Sequence, residues 1–169
     1  MYYIHAMTDG GVMVSNTDVP YMAEFPAENQ QVADQVVVGL NQPVMLAQLA
    51  EQRYAFEVAG LELSSGLRID TDRESQAQLN SSYTDLKNGL IPNTDWKAAN
   101  GWEVVTLEQM EPIAQAMAVH RRACFRGERV VITAIQNADT PALQVAIDIR
   151  ADFAAAYQAA VAEVSDTAQ

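Results

Sequence analysis

The chain has 169 residues, a formal net charge of −12 and one cysteine. That length suits one domain, or one with a small appendage, and a core of that size needs no covalent staple. The acidity argues against nucleic acid, whose phosphates it would repel, and against an anionic membrane surface, while it favours solubility and partners with basic patches; the lone Cys124 rules out an internal disulfide. No apolar run reaches the roughly 18–20 residues of a membrane span. The opening MYYIHAMTDGG lacks the basic head and apolar core of a signal peptide. The expectation is a protein made and folded in the cytoplasm.

In chain order, residues 2–7 favour a strand, Asp9-Gly10-Gly11 a turn and Val12-Met13-Val14 a second strand. Tyr21–Phe25 reads as a third strand closed by Pro26, residues 26–34 as a polar loop, and the β-branched Gln35–Leu40 as a strand. Pro43 suits a first helical position, and apolar residues recur from Val44 to Val58 at helical spacing until Gly60 ends the run. Leu61–Leu63 and Leu67–Ile69 flank Ser64-Ser65-Gly66 as a hairpin. Thr71 and Glu74 have capping-box form for a helix that runs to Lys87 and stops at Asn88-Gly89.

Thr94–Lys97 and Trp102–Val105 frame a turn at Asn100-Gly101. Thr106 and Gln109 make a second capping box. It opens the longest periodic run, Leu107–Asn137, with an apolar stripe of Met110, Ile113, Met117, Cys124, Val131 and Ala134, broadened by Ala114, Phe125, Ile132 and Ile135. Pro112 inside it predicts a kink or a late start. Thr140-Pro141 opens a last helix, whose stripe continues through Phe153, Tyr157, Val161 and Val164, and residues 165–169 should fray.

Few residues offer chemistry. His5 and His120 are the only histidines, and with one cysteine they do not make up a zinc ligand set; they read as exposed or hydrogen-bonded side chains. Cys124 reads as a small buried hydrophobe. Ser64, Ser65, Ser75 and His120 show no Gly-x-Ser-x-Gly elbow. Asp70, Asp72, Arg73 and Glu74 could hold a cation or phosphate, but fit better as charges that complement a helix N-terminus; the acid run is too short for a calcium loop. No catalytic, cofactor-binding or metal-binding residue is assigned, and no cofactor.

Charge is uneven, with residues 1–65 at net −7, the run Leu107–Asn137 at net +1 and residues 138–169 at net −4. Arg122, Arg126 and Arg129 share one helical face at spacings of four and three. They could dock an acidic partner; the favoured reading is a solvated face, or pairing with the acidic C-terminal helix. Trp96 and Trp102 could form a partner- or sugar-binding patch, or lock the hairpin onto a helix, which is the favoured reading.

The pattern Gly66-Leu67-Arg68-Ile69-Asp70-Thr71-Asp72-Arg73-Glu74-Ser75-Gln76-Ala77, then Trp96-Lys97-Ala98-Ala99-Asn100-Gly101-Trp102, then Val105-Thr106-Leu107 and a helix carrying His120 and Phe125, resembles a phage-associated domain family of unknown function. Its members commonly lie in tail-fibre and tail-tip gene neighbourhoods of tailed phages and prophages, and some are labelled tail-fibre assembly proteins. The resemblance covers about Val44–Ile149 and carries no assigned active site.

The expectation is an α+β protein: a β-rich docking segment at residues 1–42, a helical domain at 43–164 with hairpins at about 61–70 and 94–105, and a frayed tail. The resemblance implies a non-enzymatic tail component acting by protein–protein docking at the tail tip or fibre attachment, made in the host cytoplasm and carried in the virion tail. The alternative is a cytosolic fibre-assembly chaperone absent from the virion. The partners implied are tail or tail-fibre proteins, or further copies of the chain, with Arg122, Arg126, Arg129, Trp96 and Trp102 as candidate contacts.

Overall fold

A computed structural model describes residues 1–6, 12–16, 25–27, 29–63, 66–98 and 101–167. The elements are β1 (Tyr3–Ala6), β2 (Val12–Ser15), β3 (Phe25–Ala27), α1 (Gln30–Glu57), β4 (Leu61–Glu62), β5 (Arg68–Ile69), α2 (Arg73–Lys87), β6 (Thr94–Ala98), β7 (Gly101–Val105), α3 (Leu107–Asn137), α4 (Pro141–Val145) and α5 (Ile149–Thr167). The class is α+β: strands pair antiparallel as β1-β2-β3, β4-β5 and β6-β7, and a long central helix runs through the chain. Two compact units form, one from Met1–Glu51 with Glu128–Ala156, the other from Gln52–Gly127 with Tyr157–Gln169.

In the first unit, β1 pairs with β2 in the register Ile4↔Val14. Val14 then buries against Ala33 and Val37 of α1. Asn41 completes the docking: its amide oxygen accepts from the Tyr2 amide while its Nδ2 donates back to the Tyr2 carbonyl at 3.2 Å. A side chain thus imitates a neighbouring strand by pairing with both backbone groups of one residue.

Four expectations fail here. Residues 26–34 are not all loop, because Asn29 caps α1 through its side-chain oxygen on the Val32 amide, 3.1 Å, and the helix starts at Gln30. Gln35–Leu40 is helix, not strand. Ala33, Val37, Asn41, Met45 and Leu49 are all buried, and that four-residue spacing outweighs the local preference of three consecutive valines. Pro43 accordingly lies inside α1, not at its start. It costs one bond to the Gly39 carbonyl, and both residues face solvent, where water replaces it. The third strand is Phe25–Ala27, so Pro26 sits within it; residues 21–24 and the Asp9–Gly11 turn lie outside the described residues.

The second unit contains both hairpins. Leu63 and Leu67 close the first with a 2.8 Å backbone bond, and Gly66 takes φ +81° there. The second pairs Trp96↔Glu103, Lys97↔Trp102 and Ala98↔Gly101. Gly101 therefore opens β7 rather than filling the turn; positions 99 and 100 lie outside the described residues. The inner face of this hairpin brings half-buried Trp96 and buried Val105 onto a core of Ile69, Leu79, Leu86, Met110, Ile113 and Met117.

Helix α3 starts at Leu107 despite Pro112. Gln109 reaches back to accept from the Thr106 amide (3.0 Å) and hydroxyl (3.1 Å), half of the expected capping box. Its buried positions include His120 and Ile135, whereas Phe125 and Ala134, placed on the stripe by sequence, are exposed. The C-terminal helix is broken: α4 is capped by Thr140 on the Leu143 amide, and Asp148 caps α5 through the amides of Arg150 and Ala151 at 3.1 and 3.0 Å. Helix α5 continues to Thr167, through most of the segment expected to fray. No helix among the described residues is long and apolar enough to cross a membrane.

Candidate docking site

The end of α1 anchors a buried polar knot in the second unit. Glu57 is fully buried. Its carboxylate is held by the Arg53 guanidinium one turn earlier, by Arg73 at 3.3 Å and by the Gln76 side-chain amide at 3.4 Å. A charge removed from water survives only with such partners. Its carbonyl, freed because α1 ends, accepts from the Thr71 hydroxyl and from His120 Nε2 at 3.1 Å. Thr71 also accepts from the Gly60 amide at 3.0 Å. A buried hydroxyl so used cannot cap α2, and Asp72 does so instead.

Asp72 accepts from the amides of Glu74 and Ser75 and from the Ser75 hydroxyl at 2.6 Å. The Ser75 bonds hold its carboxyl below the ordinary carboxylate value. The cluster Asp70–Glu74 thus builds a helix terminus, with Arg73 turned to Glu57.

His120 is buried with both ring nitrogens engaged. A carbonyl can only accept, so Nε2–H donates to the Glu57 carbonyl and, in the neutral ring, Nδ1 accepts from the Tyr157 hydroxyl at 2.9 Å. Burial, and after it the neighbouring Cys124, pushes the Tyr157 phenol up. Phe56 stacks on His120 and meets Tyr157 edge-on. Cys124 is fully buried, its Sγ 3.9 Å from His120 Nε2. Ser75 is spent on Asp72, and Ser64 and Ser65 lie outside the described residues. No group of three or more metal-ligating side chains occurs among the described residues.

Above this knot opens a groove of about 1630 Å³, bordered by both hairpins, α2, α3 and α5. Leu61, Leu63, Leu67, Trp96 and Val161 supply apolar wall, and Glu62, Asp70, Asp95 and Glu103 outnumber Arg68 and Lys97 among its charged residues. The two tryptophans separate: Trp96 packs on the core beneath the hairpin, while Trp102 is 71% exposed, beside Val104 at 59%. Only Trp96 locks the hairpin down.

The arginines separate too. Arg122 donates to the Ala160 carbonyl and to Glu163, and Arg126 reaches the same carboxylate at 3.5 Å. Both brace α3 on α5 within this unit. Arg129 is exposed, on the part of α3 that belongs to the first unit.

Sequence reasoning missed Glu57 altogether. Its one signal was an acid at a helical apolar position, four residues after Arg53.

No curated protein and no solved structure gives a significant match to the chain. A family model does match, over residues 41–155 and therefore well over half the chain. The chain belongs to that family, DUF4376, a domain of unknown function.

Proposed function

We propose that the protein is a non-enzymatic docking component of a phage tail, sited at the tip or the fibre attachment. The observation that carries the docking mode is the groove of the second unit. Its wall combines apolar side chains with an excess of acids, while His120 and Tyr157, which also line it, spend their hydrogen bonds on each other and on a helix end. Such a surface offers shape and desolvation to a bound chain. The phage setting rests on the resemblance carried by residues 66–77 and 96–102.

Mass spectrometry of purified tails tests the structural role; a stoichiometric peptide signal is expected. Absence from the particle, together with fibre that becomes soluble only on coexpression with this chain, would move the reading to an assembly chaperone. Absence with no effect on the fibre rejects both.

A further inference from the structure

We propose that the outward edge of β7 takes up an extended segment of another protein as an added strand, and that this segment alternates apolar with basic residues. The inference rests on the docking reading and gives it a site and a partner chemistry.

The backbone carries the first step. The β6–β7 connection leaves two residues between the paired Ala98 and Gly101. A loop that short closes on a hydrogen-bonded pair, so by alternation Trp96–Glu103 and Thr94–Val105 are bonded pairs as well. The amides and carbonyls of Asp95, Lys97, Trp102 and Val104 therefore point away from the partner strand, to the two free edges of the ribbon. Among the described residues the sheet holds β6 and β7 alone.

The edges are not alike. On β6 the outward positions are Asp95 and Lys97, charged residues that discourage a further strand. On β7 they are Trp102 and Val104, 71% and 59% exposed. A bare edge with two large apolar side chains on one face is a template for strand addition, in which main-chain bonds supply affinity and alternate side chains supply choice. Natural sheets usually blunt such an edge with lysine, proline or a bulge; β7, Gly-Trp-Glu-Val-Val, has neither residue.

Charge selects the occupant. Asp95 and Glu103 outnumber Lys97 on the hairpin, and Glu62 and Asp70 outnumber Arg68 on the adjoining groove. A second copy of the chain would bring its own −12 to this surface. A basic segment is attracted where a copy is repelled.

The probe is a seven-residue peptide alternating valine and lysine, with a valine–glutamate peptide as comparison, read by amide hydrogen exchange on the full chain. The valine–lysine peptide should slow exchange at Trp102 and Val104 by about tenfold or more and leave Asp95 and Lys97 unchanged. Val104→Pro removes an amide that faces outward, so the hairpin's own ladder persists; Trp102→Lys charges the edge without touching the core. Each should weaken peptide binding by about tenfold or more. No binding, equal binding of the acidic peptide, protection on the β6 edge, or affinity unchanged in both variants would overturn the proposal. So would dimerisation of the wild-type chain that Val104→Pro abolishes, since the occupant would then be a second copy. If Val104→Pro still enters tails at the wild-type level, the edge fails as the contact while the docking reading stands.

Discussion

Glu57 ties the end of α1 to the start of α2 within the second unit. Its carboxylate is fully buried, and Arg53, with only 14% of its side chain exposed, lies against it. Replacing Glu57 by alanine removes the carboxylate from that guanidinium and one of the two acceptors of the Gln76 amide, so a loss of about 3 kcal/mol in denaturant unfolding is expected. Arg73→Ala, by contrast, removes a partner that is 58% exposed, and should cost under about 1 kcal/mol. Equal losses would mean that the carboxylate is not held as described. Asp72 makes a pH prediction. Its carboxyl is depressed below its ordinary value near 3.8, so its contribution is present above that value and is lost as pH falls through the lower folded-state value. The acid limb of a stability–pH curve should therefore flatten in Asp72→Asn, and further acid sensitivity in that variant would reverse the sign assigned here. Sequence placed a helix terminus here but named Thr71 as its cap. The spacing Thr-x-x-Glu was right for one; what it could not show was that the Thr71 hydroxyl is claimed by the Glu57 carbonyl, fourteen residues away.

At the scale of elements, legibility followed the length of the periodic signal. The run Leu107–Asn137 was readable as one helix because its apolar spacing persists for many turns, although Pro112 predicted a kink or a late start and the helix begins at Leu107 all the same. Residues 35–40 were not, since six residues rich in valine fit either period, and the deciding positions, Ala33 and Met45, lie beyond that window. The glycines test this assignment. Gly39 lies in α1 with open space where a Cβ would stand. Gly39→Ala should raise stability by about 0.5–1 kcal/mol, because helix is what alanine favours over glycine. Gly89 ends α2 at φ +68°, and the same substitution there should cost about 1 kcal/mol, although its Cβ would also meet open space. Thermal melts of the two variants should move in opposite directions; a loss in Gly39→Ala would speak against helix at that position. The groove was legible only in part. Trp96 and Trp102 were singled out as a pair, but the pairing Lys97↔Trp102 puts them on opposite faces, and which face packs inward is set by the core that Trp96 and Val105 join, which no turn motif shows.

At the scale of the whole chain, the boundary expected at 42/43 falls inside α1, and each compact unit is assembled from segments far apart in sequence. That arrangement is invisible to local pattern, because helices α1, α3 and α5 each contribute residues to both units with no linker composition to mark the change. It has a measurable consequence within the second unit. The piece from Tyr157 onward brings Tyr157 and Ala160 against Ala123 and Cys124, and its Ala160 carbonyl and Glu163 take Arg122. A chain ending at Ala156 retains Gln52–Gly127 but loses that cover, and with it the hydroxyl that faces His120 Nδ1. Alkylation of Cys124 by iodoacetamide, slow in the full chain because the thiol is fully buried, should then accelerate by about tenfold or more under native conditions. Tyr157→Phe should produce a much smaller acceleration, since it keeps the ring and removes only the hydrogen bond. An unchanged rate in the truncated chain would show that the thiol is shielded by something other than α5, and that residues 52–127 hold their core without the C-terminal helix.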